Sequence, residues 1–187
     1  MKFDAPTNAE YKPYLDSLQA TGRTVNTTIA DGNCLYRSIS KGLIGTEFYH
    51  FRVRTIILGF IYMNPQIFEP HIRQVGCPLP IRDYCVAMNK QGVWGTEIEI
   101  LGVGTLLQAP VYTFSEAGKV TTSLQPRWLK YSPLQPAMKV ISNYDRGVNQ
   151  LVNMSKPPDF HLELLHFKGS HYDLVIPEKG QFDNLPL

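Results

Sequence analysis

Apolar residues along this chain change period several times, and each change marks an element. Leu35, Ile39 and Leu43 recur every fourth residue, which lays one stripe on a helix beginning near Cys34. Gly42 and Gly45 are expected to end it. A second helix is predicted from about Thr46 to Met63, stopped at Asn64-Pro65 because the residue before a proline is pushed out of the helical region. Residues 9–20 and 80–90 read as shorter helices. Thr96 and Glu99 fit the capping box, in which a hydroxyl and a carboxylate satisfy orphan amides reciprocally. Ile98, Leu101, Thr105 and Leu106 carry that helix to about Gln108. Val25 to Ala30 reads as an extended approach to a tight turn at Asp31-Gly32-Asn33. Strands are predicted at Pro110–Phe114 and Met138–Ser142. Phe160–Phe167 and His171–Ile176 form two more, joined through Lys168-Gly169-Ser170. Residues 144–158 have no period and read as a loop.

This order of helices and strands predicts an α/β (α+β) domain, and its size fits a single core. The 187 residues are read as one unit, 1–187, with the core at about 25–177 and a flexible tail at 178–187. Hydrophobic residues at 43% and charged residues at 18% suit a globular protein and are too apolar for disorder. A net charge of +2 gives no footprint for nucleic acid or a membrane surface. The longest apolar run, from Ile56 to Met63, is too short for a bilayer and reads as a core helix. The first residues lack the apolar stretch of a secretory signal, so a reducing compartment is expected. The cytoplasm is the first choice and the nucleus the second. Cys34, Cys77 and Cys85 show no CxxC pair and no His cluster, so no disulfide framework, metal site or cofactor is expected.

Chemistry concentrates at Asp31-Gly32-Asn33-Cys34-Leu35-Tyr36-Arg37-Ser38-Ile39. A cysteine in the first turn of a helix faces the positive end of the macrodipole, which favours thiolate. The same turn presents free backbone N–H groups for a developing oxyanion, and Gly32 lets the backbone come close to a carbonyl. Read alone, the segment fits a packed cysteine in a capped helix better, because free cysteines are usually packing residues. A thiol hydrolase also needs a base. Of the five histidines, only His171 opens an apolar strand after a Gly-Ser turn. Asp173, two positions on, shares its face and can orient the imidazole. Asp31, three residues before the cysteine, is the rival for that role, and it can instead brace the turn.

Three segments carry a family resemblance. Asp31-Gly32-Asn33-Cys34-Leu35-Tyr36-Arg37-Ser38-Ile39 resembles the signature around the catalytic cysteine of the OTU family of deubiquitinases. Trp94-Gly95-Thr96-Glu97-Ile98-Glu99 is similar to the family's central W-G-x-x-x-E segment, with Gly102 where alanine is commoner. His171-Tyr172-Asp173 resembles the C-terminal catalytic histidine with its aromatic neighbour and acid, and Trp128-Leu129-Lys130-Tyr131 falls where some members are aromatic-rich.

The resemblance implies a papain-like cysteine protease fold with a small, mainly antiparallel central sheet flanked by helices. It implies hydrolysis of isopeptide or peptide bonds at the ubiquitin C-terminal glycine, with Cys34 as nucleophile and His171 as base. Amides near Gly32, Asn33 and Cys34 would hold the oxyanion, and Tyr172 would wall the groove for a Gly-Gly tail. Ubiquitin, polyubiquitin or a ubiquitin-like modifier is the implied partner of a monomer that engages neither nucleic acid nor membrane. Two other classes stay open: a catalytically silent ubiquitin-binding module, and a different thiol hydrolase or redox sensor.

Overall fold

The computed structural model describes residues 7–116, 126–134 and 159–178. The expected strand at 138–142 and loop at 144–158 lie outside these residues, as does the tail beyond Glu178.

The first helix, α1, spans Asn8–Gln19. Thr7 caps it, and Glu10 closes a capping box on the Thr7 backbone. A short strand, β1 (Arg23–Asn26), leads into the turn before α2 (Cys34–Ile44). Gly45 ends α2 at φ +80°, a left-handed cap that suits glycine. Gly42 does not end it. A side chain there would press on Leu162 and Leu174, so glycine allows helix and sheet to approach closely.

The single helix expected over 46–63 is broken at its start. The Thr46 hydroxyl accepts the Phe48 amide at 3.2 Å and caps a 3-10 turn, Glu47–Tyr49, before α3 begins (His50–Met63). The Asn64-Pro65 stop holds, but Pro65 also opens α4 (Pro65–Gln74), which the sequence reading omitted. Proline suits a first helical position because that N–H has no helical partner. Ile67, Phe68 and Ile72 then form the buried face. Helix α5 (Ile81–Met88) follows, and α6 (Glu97–Leu107) starts with the predicted capping box of Thr96 and Glu99.

Strands β2 (Val111–Glu116), β3 (Pro126–Tyr131), β4 (Leu162–Phe167) and β5 (His171–Pro177) complete one sheet in the order β1-β5-β4-β2-β3. Pairing is antiparallel except between β2 and β4. The sheet is thus mainly antiparallel and helix-flanked, as expected. Val111, Leu162, Leu164, Tyr172 and Leu174 face the core shared with α2, α3 and α6. Tyr112, Phe114, Trp128, Leu165, Phe167 and Val175 face Tyr11, Tyr14 and Leu18 of α1. Period-2 alternation thus splits each strand between two apolar layers. A buried ion pair, Arg23 Nε to Glu163 Oε2 at 2.7 Å, links β1 to β4 across β5.

This topology aims the N-terminus of α2 at the start of β5. The Ser38 hydroxyl on α2 donates to the Tyr172 carbonyl at 3.0 Å, and the Thr28 hydroxyl donates to the same oxygen at 2.7 Å. Helix α2 and strand β5 are therefore tied one turn behind Cys34.

Candidate active site

The turn before α2 is built by one carboxylate. Asp31 Oδ1 accepts the Asn33 amide at 3.0 Å and Arg37 Nε at 3.1 Å. Its Oδ2 accepts Asn33 Nδ2 at 2.9 Å and Arg37 Nη2 at 2.6 Å. Burial works to raise the Asp31 carboxyl, but Arg37 and Asn33 outweigh it and hold it well below the usual carboxylate range. Asp31 is thus committed to its own turn and to α2. It is Asp173 that meets the histidine.

Gly32 sits at φ +80° with its α-carbon against the backbone of Gly92, where a β-carbon would overlap the Gly92 carbonyl. Gly95 lies similarly close to the Leu35 side chain. The segment from Gly92 to Gly95 therefore packs directly on the turn that carries Cys34. Asn33 Oδ1 seals the contact by accepting the Gly92 amide at 3.0 Å.

Cys34 is the first residue of α2 and is 4% exposed. Its Sγ lies 4.0 Å from the Ser170 carbonyl oxygen. The backbone N–H groups of Tyr172, Leu35 and Cys34 itself favour charge on the sulfur. The thiol thus stands against the peptide group that precedes His171. His171 Nε2 meets Asp173 Oδ1 at 3.0 Å; when Asp173 is ionised this nitrogen is the donor and Nδ1 keeps the lone pair. The same Oδ1 accepts the Thr28 amide at 2.6 Å, while Oδ2 is buried with no hydrogen-bond partner among the described residues.

Expectation and structure part company over charge. The helix start was expected to favour thiolate. The amides of Tyr172 and Leu35 do pull the Cys34 thiol down, but burial is larger and pushes it above its ordinary value. Burial also pushes His171 below its ordinary value; Glu47 works against this shift and His166 with it. Both shifts favour a neutral thiol–imidazole pair over an ion pair. Burial raises Asp173 to about 7, opposed by the Thr28 amide.

The expected oxyanion donors also change. The Asn33 amide is turned to Asp31, and the Asn33 side chain to Asp31, Gly92 and Arg54, so neither faces a substrate. The Cys34 amide, in the first helical turn, is the donor that remains beside the sulfur. Tyr172 is 6% exposed, its ring stacked on His166, so packing is most of what it does here.

Two residues at the site escaped the sequence reading. Thr28, which anchors Asp173, carries no local signal. Arg54 is fully buried and reaches Asn33 Oδ1 at 2.9 Å. It had a signal, since Ile57, Leu58 and Ile61 at three, four and seven positions on put it on an apolar face.

The family described as OTU-like cysteine protease matches residues 29–151, a stretch that includes Cys34 and stops before His171. The chain is 28% identical over 167 residues to the Arabidopsis thaliana OVARIAN TUMOR DOMAIN-containing deubiquitinating enzyme 7, covering 89% of this chain and 36% of that protein. It is 30% identical over 135 residues to the Schizosaccharomyces pombe ubiquitin thioesterase otu2, covering 67% of this chain and 41% of that protein. The chain therefore spans about two fifths of the length of these relatives. Among solved structures, the OTUD1 OTU domain superposes with a TM-score of 0.67 at 22% identity, covering 90% of this chain and 95% of that one.

Proposed function

Because the chain belongs to the family of OTU-like cysteine proteases, we propose that it is a deubiquitinase, a thiol-dependent hydrolase of isopeptide or peptide bonds at the ubiquitin C-terminal glycine. The observation that carries this reading is the placement of the Cys34 sulfur against the Ser170 carbonyl, immediately before His171, whose Nε2 is held by Asp173.

On this reading Cys34 Sγ attacks the glycine carbonyl carbon while its proton passes to His171 Nδ1. The Cys34 amide stabilises the oxyanion, and Asp173 stabilises the imidazolium through Nε2. Collapse of the tetrahedral intermediate breaks the C–N bond, and the imidazolium returns its proton to the departing amine. Water then attacks the thioester with His171 again as base. Ubiquitin leaves with a free carboxylate and the thiol is restored. The other partners proposed are polyubiquitin and ubiquitin-like modifiers, met by a monomer in the reducing cytoplasm.

A second reading, a silent ubiquitin-binding module, draws on the 4% exposure of Cys34. Ubiquitin carrying a C-terminal electrophile separates the two. The enzyme reading expects an adduct on Cys34, cleavage of at least one linkage in a diubiquitin panel, and loss of both in Cys34→Ala. Ubiquitin binding by the folded protein with neither adduct nor cleavage would reject it in favour of the silent module.

A further inference from the structure

Buried arginines ordinarily sit against a carboxylate, because an unpaired buried charge is costly. Arg54 on α3 does not. Its Nη1 donates to the Met88 carbonyl at 2.6 Å. Its Nη2 lies 2.7 Å from the Val93 carbonyl, 2.9 Å from Asn33 Oδ1 and 3.4 Å from the Gly32 carbonyl. The guanidinium lies over the Tyr36 ring at 3.8 Å from its centroid. All of these partners are neutral. The residue is 0% exposed, so water does not screen its charge.

Those contacts gather three segments at one point: the turn before Cys34, the end of α5, and the Gly92–Gly95 stretch that packs on that turn. We propose that Arg54 is a positioning residue for the nucleophile, fixing the Gly32-Asn33 turn and placing a positive charge that has no ion-pair partner within electrostatic reach of the Cys34 thiolate as it forms. The charge does not make the resting thiol anionic, since burial opposes that. It lowers the cost of the thiolate during attack.

Among the described residues no carboxylate is in ion-pair contact with this charge, although Glu99 and Asp31 act on it from further off. Asp31, on the turn, is spent on Arg37. Glu99, on α6, feels Arg54 but is fully buried and held toward its neutral form, with Tyr84 Oη donating to it at 2.7 Å. Tyr36 and Cys85 are neutral, with burial raising both. From β5, the sulfur meets the Ser170 carbonyl, and His171, pushed toward its neutral form by burial, is held to Asp173 at 3.0 Å. From the 3-10 turn, Glu47 is engaged by Lys41 at 2.8 Å.

The proposal rests on Cys34 as the reacting thiol, but its test does not require ubiquitin cleavage. The rate of Cys34 alkylation by iodoacetamide is followed against pH, reading the Cys34 peptide by mass spectrometry. Arg54→Gln retains hydrogen bonding and removes the charge; the thiol pKa is expected to rise by about one unit, slowing alkylation roughly tenfold near neutral pH. Arg54→Lys keeps the charge and is expected to stay near the wild-type profile. A folded Gln variant with the wild-type profile overturns the proposal, as does a Lys variant shifted as far as Gln. If Gln gives no cooperative melt, the Lys variant decides alone: a wild-type profile supports the charge, and a profile raised by a full unit rejects it. Loss of ubiquitin cleavage with intact alkylation differences would count against the proposed function and not against Arg54.

Discussion

The imidazole of His166 lies flat on the ring of Tyr172, with centroids 4.2 Å apart and planes 3° from parallel. The two residues are direct cross-strand partners on β4 and β5. Burial keeps His166 toward its neutral form, so the contact is aromatic stacking and not cation on ring. It fixes Tyr172, the neighbour of both His171 and the sulfur. His166→Ala should therefore chiefly loosen Tyr172, while removing one minor influence that holds His171 low. Stacked pairs are worth about 0.5–1.5 kcal/mol, so KM for a ubiquitin reporter should rise roughly twofold to tenfold with kcat nearly unchanged. Steady-state kinetics reads the split.

Asp173 should respond differently to its two conservative removals. Asp173→Asn keeps an oxygen for Thr28 and His171 and offers its amide where the unpaired Oδ2 now sits. Asp173→Ala leaves the Thr28 amide and His171 Nε2 without an acceptor. Activity is expected to fall roughly 10²–10⁴-fold for Ala, because the imidazole loses its tautomer and orientation, and distinctly less for Asn. Equal losses would show that the charge alone matters. Melting temperature should separate them too, with Ala lower.

The neutral pair has a signature in pH. A histidine whose folded value is depressed gains its proton only below its ordinary pKa, so the base stays competent as pH falls past about 6.5 and fails only lower. The acid limb of kcat/KM should accordingly lie below 6.5. At pH 7 the difference in thiolate absorbance near 240 nm between wild type and Cys34→Ala should be close to zero. A full thiolate signal at pH 7 would contradict the buried, neutral pair.

Gly32→Ala tests the packing beneath the site. The added methyl would meet the Gly92 carbonyl in a backbone already at φ +80°. Left-handed strain of that kind costs about 1–3 kcal/mol, and the overlap adds to it. A drop of several degrees in melting temperature and a marked loss of turnover are expected together. Gly45→Ala makes a useful control. It shares the φ of +80° but has nothing nearby, so it should lose stability with little change in kcat.

Local chemistry was the part of this molecule open to sequence reading. The alternation through His171 and Asp173, the stripe of Leu35, Ile39 and Leu43, and the Thr96–Glu99 box each act within a few residues, and each has its structural counterpart. What escaped depends on distant packing. The protonation of Cys34 turns on how tightly β5 covers it. The use of the Asn33 amide turns on Asp31 bending back. The start of α4 is hidden because Asn64-Pro65 reads as an end, when a proline is as good a beginning.

The contact between Cys34 Sγ and the Ser170 carbonyl joins positions 136 residues apart, and β1 pairs with β5 to close the same end of the sheet. Synthesis runs from N- to C-terminus, so Cys34 emerges from the ribosome long before His171. Until β5 docks, Cys34 has no histidine, no Ser170 carbonyl and no Tyr172 amide. Pairings of such long reach form late, after the loop entropy between them has been overcome. A nascent chain of this protein therefore lacks the arrangement of Cys34 against the Ser170 carbonyl, which is completed only when β5 joins the sheet.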